Sequence, residues 1–307
     1  MELKQINTNG TALPACFGHR GASAGYPENT MAAFKGAILD GSEGIESDVH
    51  ICADDVIVMF HDPELDRLTN GSGSIPEKPY VGDIEHIRTI QTPPQPIPKF
   101  EEALELLMKP ENRHVKFNID IKPNNPPERL FSIMHKHISQ YPNYENELAP
   151  RLILGLWHPK FIQPAKDIIP YAYLAHIGMS LSLARSHFFD HVKILSMSFS
   201  SLMGNDGQTF LRECKKSNKG VMVWTVNSRS EMIEASKWEV DGIITDETKY
   251  LVQLRKDMSS QFETIVKENG FLFPWSSIKY YKPMTELAAY MEKKYIESYG
   301  GEISAAA

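Results

Sequence analysis

The chain has 307 residues, 42% of them hydrophobic and 23% charged, and this ordinary composition excludes a disordered, collagen-like or coiled-coil protein. Its formal net charge of −7 argues against a general nucleic-acid-binding surface. Three cysteines without a Cys-x-x-Cys pair cannot staple a fold of this size, which favours a reducing compartment.

The N-terminal segment lacks the apolar core of a secretory signal. No stretch approaches the roughly 18 uninterrupted apolar residues that a membrane-spanning helix needs. We therefore expect an intracellular protein that is soluble or peripherally associated with a membrane.

Short runs rich in Val, Ile and Leu predict eight strands, and amphipathic segments such as 30–39, 99–108 and 228–238 predict helices between most of them. The predicted strands are 15–18, 44–49, 115–121, 152–157, 171–177, 193–198, 221–226 and 242–245. Apolar strands that alternate with helices are typical of a covered parallel sheet. Eight of them predict a closed α/β barrel of the (β/α)8 TIM type. A doubly wound open sheet is the alternative, but no Gly-x-Gly-x-x-Gly follows the first strand.

Two regions interrupt this alternation. An extra strand at 56–61 and a long loop at 62–98 follow the second strand, and connections of this length are more often functional. We therefore predict a barrel domain at 1–256, with an inserted hairpin and loop at about 50–98, and a C-terminal helical tail at 257–307.

The tail contains an aromatic segment, Phe271 to Trp275 with Tyr280-Tyr281, and a helical pattern of apolar residues. The pattern consists of Met284, Leu287, Ala288, Met291 and Tyr295. We favour a helix packed on the barrel exterior, and the alternative is a surface for a lipid interface or a protein partner.

Glu46, Asp48 and His61 are the first candidates for a functional site. Glu46 and Asp48 are two positions apart on a strand and share a face. A two-residue turn at Asp54-Asp55 would place Asp48 opposite His61. Neighbouring carboxylates repel each other unless a cation or a shared proton intervenes, and oxygen ligands favour Mg²⁺ or Ca²⁺. A solvated edge hairpin explains the same pattern equally well.

Two other strand ends carry polar groups. Asn118, Asp120 and Lys122 alternate with apolar residues near the carboxyl end of their strand, which is the catalytic face of a barrel. Asp120 could be a third metal carboxylate, and Lys122 could bind an anionic oxygen. His19 and Arg20 end the first strand and would lie on the same rim. Each motif alone is unspecific, and their combination carries the prediction.

Four motifs resemble, in order and spacing, the signature of the glycerophosphodiester phosphodiesterase family. They are Phe17-Gly18-His19-Arg20-Gly21, Pro27-Glu28-Asn29-Thr30, Glu46-Ser47-Asp48-Val49 and His61-Asp62. The resemblance extends over residues 15–255. Segments 155–157, 179–182, 224–227 and 242–246 are similar to the fungal phosphatidylglycerol-specific phospholipase C branch of the family.

This resemblance implies a TIM barrel that binds one divalent cation, Mg²⁺ or Ca²⁺, and transfers protons with two histidines. The metal ligands would be Glu46, Asp48 and Asp120, the acid/base pair His19 and His61, and the phosphate-binding groups Arg20 and Lys122. Most of the family has Glu in place of Asp120, so Asp120 binds the cation either directly or through water. We place Trp224 in the wall of the substrate pocket.

The predicted activity is that of a metal-dependent phosphoric diester hydrolase whose substrate is a glycerophosphodiester or a glycerophospholipid. Attack by a glycerol hydroxyl would form a cyclic glycerol phosphate, which water then opens. We favour a phospholipase C that cleaves phosphatidylglycerol to diacylglycerol and glycerol phosphate. The later motifs, the aromatic tail and the apolar residues expected at the rim, Leu156, Trp157, Met179 and Trp224, favour that substrate.

Two other functions remain open. One is a soluble glycerophosphodiester phosphodiesterase that releases glycerol 3-phosphate and an alcohol. The other is a non-catalytic phospholipid-binding barrel, which would not need both histidines and all three carboxylates. We expect peripheral membrane contact and no nucleic-acid partner, and the sequence leaves the oligomeric state open.

Overall fold

Eight parallel strands close into a barrel in the structure, a computed structural model that describes residues 5–6, 12–272 and 282–303. An antiparallel strand, β3, pairs with the second of them. The strands are β1 Ala15–Gly18, β2 Gly44–Ile51, β3 Ile57–Met59, β4 Lys116–Ile121, β5 Leu152–Leu156, β6 Tyr173–Gly178, β7 Ile194–Ser198, β8 Gly220–Trp224 and β9 Gly242–Thr245. Pairing of β1 with both β2 and β9 closes the barrel and confirms the predicted fold. A short antiparallel pair, Gln5–Ile6 with Ala12–Leu13, precedes β1.

Helices surround the barrel and lie over its carboxyl end. They are α1 Met31–Asp40, α2 Phe100–Met108, α3 Pro127–Ile138, α4 Tyr144–Glu147, α5 Ile162–Ile168, α6 Leu181–Leu183, α7 Phe199–Leu202, α8 Gly204–Lys216, α9 Arg229–Lys237, α10 Thr248–Leu272 and α11 Lys282–Gly300. Short 3₁₀ turns lie at Ile75–Glu77, Pro110–Asn112, Ala149–Arg151 and Pro159–Phe161, and π turns at Tyr80–Ile84 and Ala184–Phe188. No helix among the described residues is both long and apolar enough to cross a membrane.

The predicted register of the hairpin is wrong by one residue. Val49 pairs with Met59, and the amide of Phe60 donates to the carbonyl of Asp48, so Asp48 lies opposite Phe60 rather than His61. The turn has three residues instead of two, because Asp55 adopts a left-handed conformation with φ of 66°. Asp54 stabilises this turn by accepting hydrogen bonds from two amides of the inserted loop, those of Tyr80 and Val81.

The inserted loop has a small apolar core of its own. Cys52, Val58 and Phe60 of the hairpin region pack with Leu65, Ile75, Ile84 and Ile97 of the loop. This packing fixes the loop on the outside of the hairpin, and His61 lies where the hairpin leads into it.

Inward-facing positions change in character along the barrel axis. Ala15 and Phe17 belong to an apolar cluster with Ile153, Ala175, Ile194, Met222 and Ile244. His19 follows them at the same two-residue spacing, at the carboxyl end of β1. The amino end of the barrel interior is therefore apolar, and the polar groups collect at the carboxyl end.

The C-terminal helix packs at the mouth of the barrel. Helix α11 contacts the loops after β5 and β6, and its Glu292 accepts hydrogen bonds from the amides of Met179 and Ser180. His158, in the loop after β5, is bonded to the carbonyl of Gly301 just beyond the helix. Helix α10 runs through the predicted boundary at 256. Residues 273–275 and 280–281 of the predicted aromatic surface lie outside the described residues.

Candidate active site

A cavity of about 550 Å³ opens at the carboxyl ends of the barrel strands. All eight side chains predicted for the site line it, namely His19, Arg20, Glu46, Asp48, His61, Asp120, Lys122 and Trp224. Met179 also lies in the wall, as expected for a rim residue. Leu156, which we expected at the rim, is instead fully buried in the core outside the barrel, because its side chain lies on the other face of β5.

Three buried carboxyl groups form the centre of the cavity. Asp48 on β2 pairs in register with Asp120 on β4, and Glu46 lies two positions earlier on β2. Each of the three offers an oxygen, and these oxygens lie within 4.8 Å of one another. Burial and the neighbouring Asp48 raise the pKa of Glu46 to about 8. Burial raises the pKa of Asp120 to about 6. The negative charge of ionised carboxylates is therefore unfavourable in this buried cluster unless a cation lies close to it.

The cluster fits a hard divalent cation. Its donors are all oxygens, which suit Mg²⁺ or Ca²⁺. Asn118, on the same face of β4 as Asp120, is fully buried, and both atoms of its side-chain amide lack a hydrogen-bond partner among the described residues. Because a buried amide without partners costs free energy, these atoms indicate that the site takes up a further group. The residues present therefore match a bound cation.

Asp48 is also held by neighbouring polar groups. Asn29 donates to its Oδ2 at 2.7 Å, and Lys122 Nζ lies 2.6 Å from its Oδ1. Lys122 also donates to Asp120 at 2.8 Å. Burial alone would lower the pKa of Lys122, but Asp120 and Asp48 outweigh it and raise that pKa. Thr30 caps α1 beside this site by accepting a hydrogen bond from the amide of Ala33, and the preceding residue, Asn29, positions Asp48.

Arg20 lies beside the carboxyl cluster with part of its guanidinium free to bind. Its Nη1 donates to Glu28 at 2.8 Å, and its backbone amide donates to Glu46 at 2.9 Å. Its buried Nε, 3.5 Å from Asp48 Oδ2, has no hydrogen-bond partner among the described residues. Arg20 and Lys122 therefore present two cationic groups to an anion that enters the cavity.

Both candidate histidines are bonded through Nδ1 to an aspartate. His19 Nδ1 lies 2.7 Å from Asp246 Oδ1, and His61 Nδ1 lies 2.6 Å from Asp62 Oδ1. These bonds leave Nε2 of each ring as the nitrogen that remains for proton transfer. We had predicted no catalytic role for Asp62 and Asp246, although Asp62 directly follows His61 and Asp246 directly follows β9.

The two histidines differ in proton affinity. Burial alone would lower the pKa of His19, but the hydrogen bond to Asp246 and the charge of Glu46 outweigh it, and the pKa is raised. Burial and Lys122 lower the pKa of His61. Burial acts to raise the pKa of Asp246, but its hydrogen bonds, the one to His19 foremost, lower it to about 2 and keep the group ionised.

Two tryptophans form one wall of the cavity. The rings of Trp157 and Trp224 meet edge to face, with centroids 5.7 Å apart. Trp224 donates to the carbonyl of Ser196, whereas Trp157 donates to Asp120 Oδ1 at 2.7 Å. Trp157 therefore orients a candidate metal ligand, a role that the sequence gave no signal for.

Helix α11 completes the wall. Met291, Glu292 and Tyr295 line the same cavity as the candidate catalytic groups. In the sequence, Met291 and Tyr295 stand out only as part of a helical apolar pattern, because nothing local links position 291 to the barrel mouth.

The chain is similar in sequence to a family of known enzymes. Residues 19–250 match the model of the Glycerophosphoryl diester phosphodiesterase family. A glycerophosphodiester phosphodiesterase of Caldanaerobacter subterraneus subsp. tengcongensis is 29% identical over 247 residues, which cover 77% of this chain and 95% of the relative. One from Bacillus altitudinis is 27% identical over 246 residues, which cover 79% and 98%.

Solved structures share the barrel. A putative glycerophosphoryl diester phosphodiesterase from Silicibacter pomeroyi DSS-3 superposes with a TM-score of 0.70 at 19% identity, over 80% of this chain and 94% of that one. An Oleispira antarctica phosphodiesterase, solved in complex with the product sn-glycerol-3-phosphate, gives 0.67 at 19% identity, over 80% and 97%. These likenesses support the fold.

Proposed function

The chain belongs to the glycerophosphoryl diester phosphodiesterase family and is a phosphoric diester hydrolase, and from this we propose that it cleaves glycerophosphodiesters with His19 and His61 as its proton-transfer pair. The observation that carries the proposal is the meeting of two histidine–aspartate pairs and three buried carboxyl groups in one cavity. The names of the relatives support this activity better than the phospholipase C activity that we favoured from the sequence.

Glu46, Asp48 and Asp120 would hold one divalent cation, Mg²⁺ or Ca²⁺. When bound, the cation supplies positive charge near the phosphoryl oxygens, where negative charge builds up in the transition state. Arg20 and Lys122 would also stabilise this negative charge, because both lie in the cavity wall beside the carboxyl cluster.

The proposed reaction has two steps. The glycerol hydroxyl next to the ester attacks phosphorus while one histidine accepts its proton at Nε2. The other histidine donates a proton to the oxygen of the departing alcohol as its bond to phosphorus breaks. Water then opens the cyclic glycerol phosphate with the histidine roles reversed. Asp246 and Asp62 keep each ring oriented through both steps.

A phospholipase C activity on phosphatidylglycerol is the second candidate. It requires only that the attacking hydroxyl come from the headgroup glycerol and that diacylglycerol leave. The apolar residues of α11 at the mouth of the cavity favour this activity, since a soluble diester has no acyl chains that could contact them.

The test is a product assay with purified protein and added Mg²⁺ or Ca²⁺ on glycerophosphocholine. We expect release of glycerol phosphate, and a fall in kcat of about 10²-fold or more in His19→Ala and in His61→Ala. The matched control is His86→Ala, because the side chain of His86 is 75% exposed and does not line the cavity. An inert wild type would overturn the proposal, and full activity in both histidine variants would overturn the assignment of the pair.

A further inference from the structure

Helix α11 lies beyond the residues that match the family, yet it reaches the candidate active site. The family match ends at residue 250, whereas α11 spans Lys282–Gly300. Two contacts fix it to the barrel mouth: Glu292 is bonded to the amides of Met179 and Ser180, and Ile296 is fully buried. Part of the cavity wall is therefore formed by residues that follow the family match in the sequence.

One face of α11 carries five exposed apolar side chains, which we call the apolar stripe: Met284, Leu287, Met291, Tyr295 and Tyr299. Each is between 45% and 65% exposed. Their spacing of three or four residues places them within an arc of roughly 120° on the helix. The buried Glu292 and Ile296 lie on the adjoining face, so the stripe borders the side that packs on the barrel.

The stripe is continuous with the cavity. Met291 and Tyr295 belong to the stripe and also line the cavity wall, so the apolar surface runs from the outside of the molecule into the site. A protein seated on the stripe would cover the mouth of the cavity and exclude substrate. A lipid surface covers the same residues while supplying the substrate, and tyrosine is a side chain that favours membrane–water interfaces.

On these grounds, and resting on the proposed function, we propose that the apolar stripe docks the enzyme on a phospholipid surface, from which a glycerophosphodiester headgroup enters the cavity. The apolar part of the lipid stays against the stripe, and the phosphate reaches Arg20 and Lys122. Docking of this kind raises turnover of a lipid in a bilayer and leaves turnover of a dissolved diester unchanged.

The experiment uses the full chain and vesicles of phosphatidylcholine that contain phosphatidylglycerol. Leu287→Glu and Met284→Glu place a charge in the stripe at two positions that do not line the cavity. The matched control is Leu39→Glu, because Leu39 is 84% exposed at the end of α1, before the amino end of β2. We expect both stripe variants to lower vesicle binding and vesicle-substrate turnover at least tenfold, with glycerophosphocholine turnover unchanged and Leu39→Glu like the wild type.

Three outcomes would overturn the docking proposal. The wild type could fail to sediment with vesicles, or the stripe variants could bind vesicles as the wild type does. Alternatively, light scattering could show that Leu287→Glu separates a dimer without changing vesicle binding, in which case the stripe binds a second copy of the chain. Vesicle binding without hydrolysis of either substrate would support docking and overturn the proposed function, so the two failures are distinguishable.

Discussion

His19 and Asp246 are 227 positions apart in the chain, yet His19 Nδ1 lies 2.7 Å from Asp246 Oδ1. Barrel closure explains this contact, because β1 and β9 are neighbours and Gly18 pairs with Thr245 in register. The residue after each strand end then faces the same rim. The first and last strands of the barrel thus supply the two halves of one histidine–aspartate pair.

Asp246→Asn should lower kcat by about 10²-fold or more, because the ring of His19 loses the carboxylate that orients it and stabilises its charged form. The hydrogen bond to Asp246 raises the pKa of His19, so the variant should move the His19 limb of the pH–rate profile to lower pH. Both effects are read from kcat across the pH range.

The control for this pair is Ser23→Ala, since Ser23 donates to Asp246 without bonding to the His19 ring. It should change kcat less than tenfold. Asp62→Asn should resemble Asp246→Asn, because Asp62 holds His61 in the same way. An unchanged kcat and pH profile in Asp246→Asn would contradict a positioning role.

Chelation should remove activity, and added Mg²⁺ or Ca²⁺ should restore it. The reason is the carboxyl cluster, in which burial raises the pKa of Glu46 to about 8 and that of Asp120 to about 6 although nearby cations act in the opposite direction. A cation that binds only the folded state also raises the melting temperature. Glu46→Gln should abolish that rise, and full turnover in excess EDTA would rule out the metal requirement.

Trp157→Phe should raise the metal concentration needed for half-maximal activity by roughly ten- to hundredfold, because it removes the donor that orients Asp120. Excess metal should then recover most of the rate. Trp224→Phe is the matched control, since its ring nitrogen donates to the Ser196 carbonyl and not to a candidate ligand. Equal shifts in both variants would show that Trp157 acts only through packing.

The attachment of α11 should weaken as the pH rises. Burial raises the pKa of Glu292 from 4.5 to about 7, although bonds from the amides of Met179 and Ser180 act in the opposite direction. A carboxyl group with a raised folded-state pKa stabilises the fold below its unfolded pKa, and this contribution is lost as the pH rises through the folded value. The free energy of unfolding should therefore fall by up to about 3 kcal/mol between these two pKa values.

The neighbouring histidine, His176, does not alter the expected pH dependence. His176 on β6 lies close by, since a Cβ on Gly178 would be 2.6 Å from His176 Nε2 and 2.7 Å from Glu292 Oε1. Burial lowers the pKa of His176 to about 3, so it is uncharged over the range. Urea unfolding at several pH values gives the free energy of unfolding as a function of pH. This free energy should depend less on pH in Glu292→Gln than in the wild type or in Glu302→Gln, which changes an exposed residue. Identical pH dependence in all three would refute the role of Glu292.

Local sequence pattern was sufficient for the strands and for the direction of their polar side chains. A strand alternates its faces with a period of two, so Glu46 and Asp48, or Asn118 and Asp120, share a face whatever the rest of the chain does. The hairpin shows the limit of such reasoning. Its register depends on one left-handed residue, Asp55, and on loop amides that bind Asp54 from about 26 positions away.

The sequence by itself determined the barrel, its order of strands and the eight side chains that meet at its mouth, because each follows from short-range periodicity and from motifs at strand ends. The tertiary structure decided which groups hold them: Asp246 against His19, Trp157 against Asp120, and α11 across the cavity. These contacts join segments that are distant in the chain. They form only when the barrel closes and buried polar groups must find partners, and no local pattern encodes that pairing.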